Sequence, residues 1–98
     1  MAAGLDPLLS QPTRLQILAY LYRQRLAASK SICADLGLTP GNLASHVARL
    51  EEAGYVEPLR ALVAVSFEAR VRVTPAGDAA FRAHVAALRR LLDDALAP

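Results

Sequence analysis

A chain of 98 residues, 54% hydrophobic and 20% charged, describes one globular domain, too short for two cores and too apolar to stay disordered. The formal net charge of +2 exerts only a weak bulk pull on a polyanion, and the single cysteine, Cys33, excludes an intramolecular disulfide. No apolar run approaches the ~20 residues that span a bilayer, and Met1-Ala2-Ala3-Gly4-Leu5 lacks a basic stretch followed by an apolar one, so the expected place is the cytoplasm, with no membrane partner.

Every basic residue except Lys30 is an arginine. The planar guanidinium fork suits phosphate and guanine, although an arginine-rich coding bias produces the same count. The apolar content is high for so small a domain and predicts surface buried against a partner.

The chain opens with a short lead-in, Leu5 to Leu9. Ser10 and Pro12 then predict a helix start, and Leu15, Leu18, Leu21 and Tyr22 recur at helical spacing up to about Leu26. Ser29 is placed to cap a second helix, Lys30 to Leu36, whose inward residues are Ile32, Cys33 and Leu36. Gly37 stops it. Thr39-Pro40 starts a third helix, with Leu43, Val47 and Leu50 on one face and Gly54 beyond its end. From Tyr55 to Thr74 the period changes: Val71 and Val73 alternate with Arg70 and Arg72 as a half-buried strand. Val56 to Val65 is its predicted partner, held to an edge by Pro58. The connection carries no turn residue, so a helical turn over Leu59 to Val65 remains the other reading. Thr74-Pro75 begins a last helix that runs to about Leu96.

Several stretches carry a family resemblance. Gln11-Pro12-Thr13-Arg14-Leu15-Gln16-Ile17-Leu18 is similar to the first core helix of ArsR-type and MarR-type regulators. Leu36-Gly37-Leu38-Thr39-Pro40-Gly41-Asn42-Leu43-Ala44-Ser45-His46-Val47 resembles their helix-turn-helix. Arg49-Leu50-Glu51-Glu52-Ala53-Gly54-Tyr55-Val56 resembles the exit into the wing, and Val73-Thr74-Pro75-Ala76-Gly77 the step into the last helix. The match spans about Leu5 to Leu92. It implies an α+β winged helix-turn-helix: a three-helix core, a β-hairpin wing and a long C-terminal dimerisation helix, all one domain over 1–98. It also implies a dimeric transcriptional regulator, most simply a repressor, that binds double-stranded DNA with helix 39–53 in the major groove.

With Leu43, Val47 and Leu50 inward, the outward set is Gly41, Asn42, Ser45, His46 and Arg49, with Thr39 at the start of the helix. Asn42 suits an adenine edge or a phosphate, Arg49 a phosphate or guanine. Arg60, Arg70 and Arg72 are expected together at the base of the wing. The stretch Ala64 to Ala69 is unlike the basic wing tip of the resembled family. It is expected to fold Val65 and Phe67 onto the core, with apolar contact to a partner as the other reading.

Phe81, Val85, Leu88, Leu92 and Ala95 step by four and three along the last helix, as a dimer seam does. Leu91 widens the seam and Leu5, Leu8 and Leu9 are placed to join it, so 5–10 and 85–96 are the expected dimerisation segments. Beyond Val85 the subunit core is expected to be exhausted. His46, His84 and Cys33 sit on separate helices and no catalytic motif appears, so no metal, cofactor or enzyme activity is expected. The pattern leaves room for a small-molecule or protein effector. The alternative function is a winged-helix protein–protein interaction module that does not bind DNA.

Overall fold

Pro12, which has no amide hydrogen to lose, opens the first helix of a computed structural model that describes residues 4–98. The reading of the first three residues lies outside the described part. Helix α1 (Pro12–Gln24) is capped by Gln11, whose Oε1 accepts from the Arg14 amide at 2.7 Å. Ser10 is not the cap: its hydroxyl donates to the Asp6 carbonyl at 2.9 Å and closes the preceding turn. The helix ends two residues before Leu26, because Arg25 takes φ = 70° and its carbonyl accepts from the Val73 amide at 3.0 Å. That bond starts strand β1 (Leu26–Ala28), which no pattern in the sequence announces.

Helix α2 (Ser29–Leu36) includes Ser29 as its first residue, and Ala28 stands at the cap without a side-chain bond. Gly37 stops it at φ = 68°, a conformation that costs glycine nothing. Thr39 Oγ1 accepts from the Asn42 amide at 3.1 Å and caps helix α3 (Pro40–Glu52). Strands β2 (Val56–Val63) and β3 (Ser66–Val73) form the hairpin, in a three-stranded antiparallel sheet of order β1-β3-β2. Pro58 therefore lies on an edge strand, as its missing amide requires. Leu59 to Val63 is extended, which removes the reading of that stretch as a helical turn. The two-residue turn Ala64-Val65 places Ala64 at φ = 55°, a left-handed position that costs a non-glycine residue about 1 kcal/mol. Thr74 caps α4 (Pro75–Leu96), accepting from the Gly77 amide at 3.0 Å.

The core gathers the inward stripes of α1, α2 and α3 over one face of the sheet. Leu9, Ile17, Leu18, Leu21, Ile32 and Leu50 are all 0% exposed, with Leu43, Val47, Val56, Val71 and Val73 completing the cluster. Each fully buried aliphatic side chain contributes about 1.5–3 kcal/mol before entropy is counted.

One junction ties the lead-in, the hairpin root and α4 together. The Asp6 amide donates to Nδ1 of the buried His84 at 3.0 Å, and the Asp6 carboxylate accepts from the Tyr55 hydroxyl and from the Leu8 amide. The Tyr55 carbonyl accepts from the Thr74 amide at 3.1 Å. Gly77 lies against that carbonyl so closely that a β-carbon there would overlap it. The hydrogen bond to Asp6, with burial and the Asp6 charge, pushes the Tyr55 phenol up from 10.0 to about 12.

A raised phenol pKa means that the folded state holds the proton more tightly. The contribution is full below pH 10 and is lost as pH climbs toward 12. Tyr55→Phe is expected to lower unfolding free energy at pH 7 by about 1 kcal/mol, the discounted value for a half-exposed hydrogen bond to a carboxylate. Urea denaturation at pH 7 and pH 11 checks this: the difference between wild type and Tyr55→Phe narrows at the higher pH.

Candidate nucleic-acid interface

The geometry of α3 follows from the turn before it. Gly37 reverses the chain, the Leu38 amide donates to the Cys33 carbonyl at 3.0 Å, and the Leu38 side chain packs on the core. With Leu43, Val47 and Leu50 buried, the opposite face presents Gly41, Asn42, Ser45 and Arg49 to solvent, and Thr39 is exposed at its N-terminal end. Asn42, Ser45 and Arg49 lie three and four residues apart on adjacent turns and form one stripe. Among the described residues none of the three side chains has an intramolecular hydrogen bond or ion pair. The first-turn amides beside Thr39 and Gly41 add the partial positive charge of a helix N-terminus.

His46 is set differently from the rest of the expected face. It is half-buried, with Nδ1 3.5 Å from Nη1 of Arg14. Desolvation lowers its pKa below 6.5, and the charges of Arg14 and Arg49 lower it further, so it presents a neutral imidazole at pH 7. Arg14 is held in place by its Nε, which donates to the Leu8 carbonyl at 2.8 Å. It brings a cation from α1 to the edge of α3, and no spacing within the third helix signals that neighbour.

The hairpin corrects two expectations. Val65 is 99% exposed and Phe67 63% exposed, so the tip does not fold onto the core. The buried hairpin residues Val56, Val71 and Val73 all lie at its root, and Leu62 and Val63 project with the tip. The basic residues also divide. Cross-strand partners share a face, and Arg70 pairs with Leu59 and Arg72 with Glu57, whereas Arg60 pairs with Ala69. Arg60 therefore lies on the opposite face from Arg70 and Arg72, with its guanidinium 5.4 Å from the centre of the Phe67 ring. Arg70 is engaged by Glu68 at 2.9 Å and Arg72 by Glu57 at 2.8 Å, while Lys30 reaches Glu68 at 3.6 Å. The hydrogen bond from Arg70 holds the Glu68 carboxyl below its ordinary value; partial desolvation opposes this, and the charges of Arg70 and Lys30 add to it.

The expected seam is sorted by burial. Leu9 is 0% exposed within the core of the chain and has no surface to give a second copy, which withdraws it from the expected seam. Leu5 and Leu8 are half-buried, Leu8 against the core. On α4, His84 and Ala87 face inward, so burial continues two residues beyond the expected end of the core near Val85. Val85 and Leu88 are half-buried, and every residue from Arg89 onward is exposed, including Leu91, Leu92, Ala95 and Leu96. Among the described residues, no three His, Cys, Asp or Glu side chains gather as metal ligands, and no helix is long and apolar enough to cross a membrane.

Residues 13–92 match the family of winged helix DNA-binding domains. The chain belongs to that family. A transcriptional regulator homologue from Pyrococcus horikoshii superposes on this winged helix with a TM-score of 0.86 at 31% identity, over 91% of this chain and 88% of that one. A protein of Methanocaldococcus jannaschii is 32% identical over 72 residues, 74% of this chain and 78% of its own. The heme sensor PefR of Streptococcus agalactiae shares the fold, with a TM-score of 0.78 at 16% identity. That match covers 94% of this chain, which spans only 62% of the PefR chain. The winged helix-turn-helix architecture and the likeness to winged-helix transcriptional regulators are thus shown together.

The stability of α3 separates its cap from its exposed face. Thr39→Ala is expected to cost about 1 kcal/mol through loss of the cap. Asn42→Ala and Arg49→Ala are expected to stay within about 0.5 kcal/mol of wild type, as partner-free surface residues do. Thermal unfolding of the three variants checks the assignment.

Proposed function

We propose that this winged helix binds double-stranded DNA sequence-specifically as a homodimer and regulates transcription, most simply as a repressor that blocks polymerase access. The observation that carries the reading is the exposed α3 stripe of Asn42, Ser45 and Arg49, free of intramolecular partners, on the scaffold of a DNA-binding family. In the proposed complex α3 enters the major groove, Asn42 and Arg49 meet base edges or phosphates, and the amides near Thr39 and Gly41 meet the backbone. The wing contributes through Arg60, Arg70 and Arg72. The latter two first have to share or leave their carboxylates, so the proposed weight lies on α3. His46 gives a neutral donor or acceptor beside Arg49.

The homodimer is supported by the exposed end of α4. Leu91 is 44%, Leu92 50% and Leu96 82% exposed on a helix whose last two turns stand in solvent. An apolar stripe of that kind is stable in water when a second copy covers it. The proposed seam comprises Val85, Leu88, Leu91, Leu92 and Ala95, with Leu5 and Leu8 alongside. The apolar hairpin tip favours the second reading, a protein-interaction module. The regulator homologue from Pyrococcus horikoshii supports a non-enzymatic role, proposed here for the cytoplasm.

The deciding experiment is a salt titration of binding to a selected or promoter duplex. A combined log–log slope of at least about −4 is expected for two subunits. Arg49→Ala and Asn42→Ala are each expected to weaken binding by about 1–3 kcal/mol if they read bases. Glu68→Gln, which releases Lys30 and Arg70, is expected to strengthen binding and steepen the slope by about 0.9 for each additional phosphate neutralised. Absence of binding to every duplex at low salt overturns the reading in favour of the interaction module.

For the seam, Leu88→Glu is expected to yield a folded monomer with poor operator affinity. Burying the carboxylate costs several kcal/mol unless the partner departs, and a monomer presents one recognition helix instead of two about 34 Å apart. Sedimentation velocity checks it, and an unchanged dimer rejects the seam.

A further inference from the structure

Three basic side chains from two helices meet at one edge of α3. Arg14, in the first turn of α1, is half-buried and anchored: its Nε donates to the Leu8 carbonyl at 2.8 Å. Its Nη1 stands 3.5 Å from Nδ1 of His46. Arg49 follows His46 by three residues, a neighbour on the next turn of the same helix. The anchor matters, because it fixes a guanidinium against α3 whether or not anything is bound there.

No carboxylate joins the three. Among the described residues Arg14 and Arg49 form no ion pair, whereas Arg25, Arg70, Arg72 and Arg82 each rest on an aspartate or glutamate. Asp6, the acid of the lead-in, is turned to the Tyr55 hydroxyl and the Leu8 amide. The charged groups that bear on His46 are Arg14 from α1 and Arg49 from its own helix, both cations, and they add to desolvation in lowering its pKa. Like charges held together without a counter-ion are the arrangement that an anion stabilises.

We infer that Arg14, His46 and Arg49 form a socket for one phosphate of the DNA backbone, and that His46 takes a proton from solvent as the phosphate enters. A guanidinium only donates, so in the free chain Nδ1 is the accepting atom of the ring and the imidazole proton sits on Nε2. A second proton, on Nδ1, turns two N–H groups toward each other. That is unfavourable until an oxygen lies between them and accepts from both. A phosphate oxygen does this without disturbing the Arg14 bond to Leu8. Arg14, which lies outside the third helix, thus becomes a DNA-contacting residue. Binding that favours the charged ring tightens as pH falls: the gain is full below the His46 pKa of the free chain and is gone above that of the complex. The choice of DNA as the source of the phosphate rests on the DNA-binding reading; the basic cluster does not.

The test is duplex binding at constant salt from pH 5.5 to pH 8, with the His46 ring followed by NMR. Wild type is expected to bind about tenfold tighter at the lower pH, which corresponds to a rise of about one in the His46 pKa on binding. His46→Gln is expected to remove this pH dependence, and His46→Lys to hold the tighter affinity at pH 8. Arg14→Gln is expected to flatten both the pH dependence and the salt slope, the latter by about 0.9 per subunit. It also loses the Leu8 anchor, so thermal melting verifies its fold, and Arg14→Lys, which keeps the charge, is expected to restore most of both. Sodium sulfate without DNA, compared with sodium chloride at equal ionic strength, isolates the socket. It is expected to raise the pH at which His46 titrates in wild type and not in Arg14→Gln. A wild-type affinity that does not change with pH, a pH dependence that survives His46→Gln, or a sulfate response equal in wild type and Arg14→Gln overturns the inference and leaves the DNA reading standing. A chain that ignores every duplex while sulfate still moves His46 overturns DNA as the source, and the DNA reading with it, and leaves a socket for a free anion.

Discussion

The position of the Tyr55 backbone and hydroxyl is the constraint on which the rest of this small fold depends. Its carbonyl receives the Thr74 amide and lies against Gly77; its hydroxyl donates to Asp6, whose own amide donates to His84. Those contacts join residues 49 and 78 positions apart in sequence. Without them the lead-in segment, the hairpin root and α4 would each pack on the three-helix core separately. With them, the exit of α3, the direction of the hairpin and the angle at which α4 leaves the body are set at one place. A glycine at position 77 is the sequence counterpart of that closeness, because any side chain there would push α4 off the Tyr55 carbonyl.

Charge is distributed in a way that favours α3 over the wing as the polyanion-facing element. On the hairpin, Arg70 and Arg72 are each satisfied by a glutamate on the same sheet face, and Lys30 is drawn to Glu68 from α2. Surface ion pairs of this kind contribute little to stability, but they lower the local positive potential. On α3, Arg49 is unpaired, Arg14 stands nearby, and the helix N-terminus adds its own partial charge. A net charge of +2 is therefore a poor guide to function here. What matters is that the cancelling pairs and the free cations lie on different elements.

The last helix divides its length between two environments. Up to Leu88 it packs on the body of the domain, with His84 and Ala87 buried. From Arg89 it leaves the body and exposes leucines at helical spacing. The overall extents of 59 × 25 × 20 Å reflect this projection. The hairpin tip is a second apolar projection. Both are surfaces that a domain of this size cannot cover for itself, consistent with an apolar content high for its length.

Much of this arrangement is local and hence legible in the amino-acid sequence. Thr39-Pro40 and Thr74-Pro75 start α3 and α4 where they stand, because a threonine cap and a first-turn proline act within one helical turn. The stripe of Leu43, Val47 and Leu50 determines which face of α3 is outward, since helical periodicity needs no tertiary information. Pro58 limits β2 to an edge for the same kind of reason. What the sequence could not determine depends on pairing across the fold. Strand β1 exists because β3 supplies its hydrogen bonds, and Leu26-Ala27-Ala28 has no strand preference to advertise it. The turn at Ala64-Val65 carries no glycine or asparagine, so hairpin register, and with it the separation of Arg60 from Arg70 and Arg72, was settled only by the pairing of β2 with β3. Likewise Leu9 looks like any other leucine of the lead-in until the core closes over it. Caps and periodicity are properties of neighbouring residues; register, ion pairing and burial are properties of the closed fold, and only the tertiary structure decided them.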